Sequence, residues 1–298
     1  MRLDSARVLV TGASGSLGWA LSKILLPGSE VAATYYSHPS VPEGTEPLRL
    51  DLSDKDALGD LCRQNKPDVI FHCAAMTNPD ECEQDSRRAI RVNFEATQEI
   101  ARIAEDMGSR LVFTSTDLVF DGSKGDYREQ DTAKPLSIYG TSKLRAEEAV
   151  LGTGPDSLVV RSSLMYGMGS ETSGTFLTGL IEALAAGRRM RLFTDQRRNP
   201  ILVDDFARAL VAAVEADLRG LYHVAGDEAV SRLEFGRQVC RAFGFDETLL
   251  DPISMEDFDY VAARPLDSTL NTEKFTSATG FKPAGIAAAL AALAGERP

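Results

Sequence analysis

The residues best suited to moving a proton in this 298-residue chain are Tyr139 and Lys143. They stand four apart in Tyr139-Gly140-Thr141-Ser142-Lys143, within a stretch from Ser137 to Leu151 whose Leu144, Ala146, Glu147, Glu148 and Ala149 favour helix. Four residues make about one helical turn, so the spacing predicts both side chains on one face. A free phenol has a pKa of about 10 and is a poor acid at neutral pH, and an ammonium beside it stabilises the phenolate and lowers that value. Upstream, Ser115-Thr116-Asp117 closes the apolar run Arg110 to Thr114. A hydroxyl at Thr116 would hydrogen-bond a carbonyl oxygen as negative charge builds on it. The set Thr116, Tyr139 and Lys143 therefore fits the protonation of a carbonyl that is being reduced.

Reduction needs a hydride donor, and Thr11-Gly12-Ala13-Ser14-Gly15-Ser16-Leu17-Gly18 is suited to seat a dinucleotide. It follows the strand-like run Val8 to Val10. Behind it Leu17, Ala20, Leu21, Ile24 and Leu25 form one stripe of a helix over Leu17 to Leu26. A strand, a glycine turn and a helix N-terminus make an anion site, because the first helical N–H groups are unpaired and the helix dipole is positive there. Gly12, Gly15 and Gly18, with Ser16 and Leu17 at the helix start, are the expected pyrophosphate contacts. The second strand candidate ends Thr34-Tyr35-Tyr36-Ser37-His38 without the carboxylate that would repel a 2′-phosphate. Ser37 and His38 can donate hydrogen bonds to such a phosphate. NADP is therefore the expected cofactor, with NAD left open.

The elements that must hold these groups alternate along the chain. Strand candidates are Val8 to Val10, Val31 to Thr34, Val69 to Cys73, Leu111 to Thr114, Leu158 to Val160 and Leu221 to Val224. Helical stretches lie near Leu17 to Leu26, Lys55 to Gln64, Ser86 to Met107 and Ser137 to Leu151. Each crossover between parallel strands needs a helix, so the alternation predicts an α/β fold of the Rossmann type: a doubly wound parallel sheet covered on both faces. The clean alternation stops after Arg161-Ser162-Ser163. Residues 1–163, with 199–226 returning, are expected to form the cofactor domain, and 164–198 with 227–298 a smaller substrate lobe.

Residue order narrows this further. Thr11 to Gly18, Leu50-Asp51-Leu52-Ser53-Asp54, Cys73-Ala74-Ala75, Val92-Asn93, Ser115-Thr116-Asp117, Tyr139 to Lys143 and Arg161-Ser162-Ser163 resemble, in sequence, the extended short-chain dehydrogenase/reductases, which act on nucleotide sugars. Ser115 to Gly122, Asp195-Gln196 with Asn199-Pro200, and Arg264 to Asn271 look like the dTDP-4-dehydrorhamnose reductase group. The resemblance implies that Asp51 and Leu52 sit at the adenine, that Ala74, Ala75 and Met76 line the cofactor cleft, and that Asn93 supports the catalytic helix. It also implies that Lys143 holds the nicotinamide ribose. Thr77, Asp117, Leu164 and Arg264 are then the expected substrate contacts.

Departures from that group concern the sugar. Its usual aromatics after the alanine pair and after Arg-x-Ser are here Met76 and Leu164, which read either as a pocket without flat stacking surfaces or as core residues in a reshaped wall. Pro79 and Cys82 also depart from the group's usual valine and alanine. Arg188, Arg189, Arg191, Arg197 and Arg198 crowd one segment and Arg264 lies apart; guanidinium forks suit a diphosphate, and Arg264 is the stronger candidate. Keto reduction on a nucleotide-linked deoxysugar is the leading expectation. Epimerisation with retained NAD stays open, as does a non-catalytic role like that of the methionine adenosyltransferase regulatory subunit.

Composition sets outer limits. A formal net charge of −12 and a pI near 4.8 argue against general binding to nucleic acid or anionic membranes. Cys62, Cys73, Cys82 and Cys240 show no metal-site spacing and fit packing residues of a reduced cytosol. No metal site is evident. The opening Met1-Arg2-Leu3-Asp4-Ser5 reads as leading straight into the first strand without an apolar signal, so a cytoplasmic location is expected. Self-association as a homodimer is left open.

Overall fold

The computed structural model describes residues 3–154, 156–170 and 172–296. Seven strands form one parallel sheet: β1 (Arg7–Thr11), β2 (Glu30–Tyr35), β3 (Glu46–Arg49), β4 (Val69–His72), β5 (Arg110–Thr116), β6 (Leu158–Ser162) and an edge strand, Gly220–Val224. Their order is edge strand, β6, β5, β4, β1, β2, β3. The chain winds from β1 out to β3 and then crosses back to β4. That reversal opens a crevice at the carboxyl ends of β1 and β4, where such sheets bind their ligands.

The helices are α1 (Ser16–Leu25), α2 (Lys55–Asn65), α3 (Pro79–Gln84), α4 (Ser86–Ile90), α5 (Ala96–Met107), α6 (Ile138–Thr153), α7 (Phe176–Ala185), α8 (Val203–Glu215), α9 (Arg232–Phe243), α10 (Glu273–Thr279) and α11 (Ile286–Gly295). Strand residues alternate between two cores, as the period of two requires. Val8, Val10, Val69 and Phe71 pack with residues of α1 and α8, whereas Leu9, Ile70, Leu111 and Phe113 pack with those of α2, α5 and α6. This covering of both faces explains why the strands read as continuous apolar runs. A third core lies in the C-terminal part, where Leu180, Leu192, Phe235 and Leu290 bring α7, α9 and α11 around the parallel pair Met190–Phe193 and Leu250–Ile253. Among the described residues no helix is long and apolar enough to cross a membrane.

Two elements differ from the sequence expectation. Strand β3, Glu-Pro-Leu-Arg, carries no apolar run because it is the outer strand and mostly exposed; its proline is tolerated there since an edge strand leaves backbone groups unpaired. The stretch Ser86 to Met107 is not one α-helix: α4 and α5 are joined by a π-helical turn, Arg91–Glu95. That turn positions Asn93, and such turns recur at functional sites.

Candidate active site

A cleft of about 1080 Å³ opens over the carboxyl ends of the strands. Ligand pockets usually enclose about 300–1,000 Å³, so this one has room for a dinucleotide and a second ligand together. Its walls carry the glycine loop, the set Thr116, Tyr139 and Lys143, and five arginines, 88, 91, 198, 232 and 264.

The three glycines of the loop differ in what surrounds them. Gly12 has φ +72°, and a Cβ there would lie 2.8 Å from the Ala74 Cα; a Cβ on Gly18 would lie 2.3 Å from the Gly12 carbonyl oxygen. Those two glycines are demanded by the chain's own packing. Gly15 is not: its nearest neighbour would be the Gly12 oxygen at 3.3 Å, and otherwise the space beside it is open cleft. Gly15 is also the N-cap of α1, with no side chain capping the helix and no acid in its first turn. An anion is the natural partner of such an end. Ser16, Leu17, Asp51, Leu52, Ala74 and Ala75 line the same cleft.

At the end of β5 and the start of α6 the proton-handling groups meet. The Tyr139 hydroxyl hydrogen-bonds with Thr116, and Tyr139 and Lys143 are 8% and 3% exposed. Burial pushes the phenol well above its ordinary pKa, the Thr116 hydrogen bond pulling it back and the Asp117 charge adding to the rise. Burial pushes Lys143 down to about 7 against the opposing charge of Glu147. The expectation that Lys143 lowers the phenol pKa is therefore not met in the free protein, because desolvation dominates both groups and Lys143 is not among the main influences on the phenol. A phenol that keeps its proton is a donor, which suits reduction. The Lys143 ammonium also stands 4.0 Å from the centroid of the Phe113 ring, whose face favours a cation.

Polar clamps fix α6 in place. The Glu147 carboxylate, one turn beyond Lys143, accepts from Arg161 Nε at 2.9 Å and Nη2 at 2.6 Å and from the Ser115 hydroxyl. Asn93 accepts from the Met76 N–H at 2.8 Å and donates to the Met76 carbonyl at 3.0 Å and to Ser142 Oγ on α6 at 3.1 Å. One asparagine thus ties the cleft wall at Met76 to the catalytic helix.

The substrate side differs in detail from the sequence reading. Asp117 lines the cleft, but its carboxylate is engaged by Ser268 at 2.6 Å, Arg198 Nε at 3.1 Å, Thr116 at 3.2 Å and Ser163 at 3.4 Å. It is a buried anchor that joins the segments 115–122, 196–199 and 264–271, and has little capacity left for a substrate. Met76 and Leu164 are half-buried in the cleft wall, Met76 also packing with Tyr139, Cys82 and Ala89. Thr77 is exposed at the rim. Ser37 and His38 lie past the wall, exposed in the segment after β2, and Thr34, Tyr35 and Tyr36 line the cleft there instead.

Over residues 6–296 the sequence matches the family described as RmlD substrate binding domain. The chain belongs to that family. It is 35% identical over 289 residues to a probable low-salt glycan biosynthesis reductase, Agl14, of Haloferax volcanii, covering 95% of this chain and 96% of the relative. It is 32% identical over 279 residues to methionine adenosyltransferase 2 subunit beta of Xenopus laevis, covering 91% and 82%. A crystal structure of dTDP-4-dehydrorhamnose reductase from Bacillus anthracis in complex with NADP superposes with a TM-score of 0.87 at 26% identity, covering 98% of this chain and all of that one.

In this member of the family the basic segment splits. Arg189 pairs with Asp251, Arg197 with Asp267, and Arg191 rests 5.3 Å from the centroid of Phe258; these three and Arg188 are exposed and outside the cleft wall. Arg198 and Arg264 do line the cleft, joined by Arg88, Arg91 and Arg232, which sequence spacing did not single out. A signal was present: Arg232 follows the capping serine of Ser231-Arg232-Leu233-Glu234, and a cation in the first turn of a helix opposes the helix dipole.

Proposed function

We propose that this protein reduces a keto group on a nucleotide-linked deoxysugar with NADPH, as the name of its Bacillus anthracis structural relative describes. One observation carries the reading: the Tyr139–Thr116 hydrogen-bonded pair faces a cleft large enough for two ligands, with a glycine-lined anion seat and five arginines in the same walls. The cofactor, when bound, supplies hydride to the substrate carbon. Gly12, Gly15 and Gly18 with the N-terminus of α1 are the residues to hold its pyrophosphate, and Asp51, Leu52, Ala74 and Ala75 its adenosine side. Thr116 hydrogen-bonds the substrate oxygen as charge develops on it, and Tyr139 delivers its proton to that oxygen. Lys143, over the Phe113 ring and under the opposing charge of Glu147, supplies positive charge when protonated. The nicotinamide ribose is its expected partner.

The sugar itself is decided by the wall at Met76 and Leu164. The test is NADPH oxidation measured with dTDP-4-dehydrorhamnose, other keto-sugar nucleotides and simple ketones, for wild type and Tyr139→Phe. Wild type is expected to turn over a keto-sugar nucleotide, and Tyr139→Phe to lose a factor of about 10² or more in kcat with NADPH affinity kept. Wild type that binds NADPH tightly but oxidises it with none of these substrates would sink the reductase reading in favour of a regulatory subunit. Tightly retained NAD with no net oxidation would favour an epimerase.

A further inference from the structure

We propose that Arg232 grips the diphosphate of the nucleotide-sugar substrate, an assignment that rests on the reading above. Five arginines line the cleft; Arg88 and Arg91 are exposed, and of the three that are not, two are already neutralised. Arg198 is paired with Asp117 at 3.1 Å and donates to the backbone carbonyls of Arg197 and Pro265, so its fork is spent within the protein. Arg264 is paired with Asp80 at 3.0 Å and donates to the Ala262 carbonyl.

Arg232 is different. Its Nε donates to Gln196 Oε1 at 3.0 Å, but its Nη1 is buried without an acceptor, and it forms no ion pair among the described residues. A buried donor left unmatched is costly, and a charged one more so. The position is also unfavourable for a cation twice over: Arg232 opens α9, where the helix dipole is positive, and the short ladder Val230↔Arg198, Ser231↔Arg197 sets it close to the Arg198 charge. The Phe176 ring, whose centroid is 4.6 Å from the guanidinium carbon, holds the group in place but supplies no negative charge. A cation kept at such a site awaits an anion. The ligand chemistry that fits is a phosphate, since guanidinium and phosphate oxygens match in two parallel hydrogen bonds.

The test is calorimetric titration of the full-length, NADP⁺-loaded protein with thymidine diphosphate and with thymidine, comparing wild type, Arg232→Met and Arg232→Lys. Methionine keeps apolar contact with Phe176 and removes the charge; lysine keeps the charge and removes the fork. Arg232→Met is expected to weaken thymidine diphosphate about ten- to a hundredfold, with thymidine and NADPH affinities unchanged and the effect carried in KM rather than kcat. Arg232→Lys should fall between wild type and Arg232→Met. Thymidine diphosphate affinity within twofold of wild type in folded Arg232→Met overturns the assignment, as does an equal loss for thymidine. If Arg232→Met fails to fold, Arg232→Lys decides: wild-type affinity for the diphosphate overturns the proposal. Wild type that binds the diphosphate but reduces no keto sugar overturns the reductase reading alone, whereas wild type that binds no nucleoside diphosphate overturns both.

Discussion

Gly15 and Gly18 look alike in the sequence and differ in the folded chain. A Cβ on Gly18 would drive into the Gly12 carbonyl oxygen at 2.3 Å, so this glycine serves the packing of helix on loop. Gly15 faces the cleft, where a side chain meets only the Gly12 oxygen at 3.3 Å. Gly15→Val is therefore expected to fold with near-normal stability and lose at least about tenfold in NADPH affinity, since its branches fill the space a pyrophosphate needs. Gly18→Val is expected to fold poorly. Fluorescence titration with thermal unfolding of both variants checks the contrast, and unchanged cofactor affinity in folded Gly15→Val would make the turn purely structural. The spacing of the glycines was readable from the chain, but which of them leaves room for a ligand was not, because that depends on how the loop folds back on the Gly12 carbonyl and, for Gly12 itself, on Ala74 some sixty residues away.

At the level of elements, α6 is held by a buried ion pair as well as by Ala146 and Val150 in the second core. Its buried residues include Ser142, Lys143 and Glu147, and Glu147 binds Arg161 of β6 and Ser115 of β5 at once. Beside them His223 of the edge strand lies 3.3 Å from Arg161, and burial holds this histidine down to about 3, so it is neutral; an imidazole has no negative charge with which to balance Arg161. Glu147→Gln leaves Arg161 buried and uncompensated, and breaking such a pair costs about 3–5 kcal/mol. The variant is expected at the lower end of that range in urea unfolding, because glutamine keeps part of the hydrogen bonding. A loss under about 1 kcal/mol would show that the pair adds little to holding the helix. The Tyr-x-x-x-Lys spacing made this helix legible in the sequence. The partners of Glu147 were not, since Arg161 and Ser115 reach it only once β5 and β6 pair.

Across the whole molecule the buried histidines set a pH dependence. His72, bonded to Thr11 at 2.7 Å and Thr97 at 2.9 Å, is held down to about 3 by burial and the nearby Lys143 charge, and His223 likewise by burial and Arg161. An unfolded histidine titrates near 6.5. Between about 3 and 6.5 the unfolded chain binds more protons than the folded one, so stability falls as the pH drops, by up to about 1.4 kcal/mol per pH unit for each histidine. Lys143, at about 7, is largely protonated in both states over that window and adds little slope. Urea unfolding from pH 6.5 to 4.5 should show the loss, and His72→Gln should flatten it. An equal slope in the variant would remove His72 from the acid response.

The order of motifs along the chain was enough to specify the parallel α/β fold, the glycine seat and the Thr116, Tyr139, Lys143 set, because each rests on local spacing: a period of two in the strands, one turn in the helix, a glycine turn between strand and helix. Tertiary structure decided which charged groups remain free. Asp117 read as a substrate contact and its carboxylate is engaged within the protein; Arg188 and Arg189 crowd a basic segment and face solvent; Arg232 passed unnoticed and holds a buried Nη1 without an acceptor. Charge compensation is a property of neighbours in space. Asp117 meets Ser268, and Arg264 meets Asp80, across more than 150 residues of chain, a separation at which spacing along the sequence holds no record of contact.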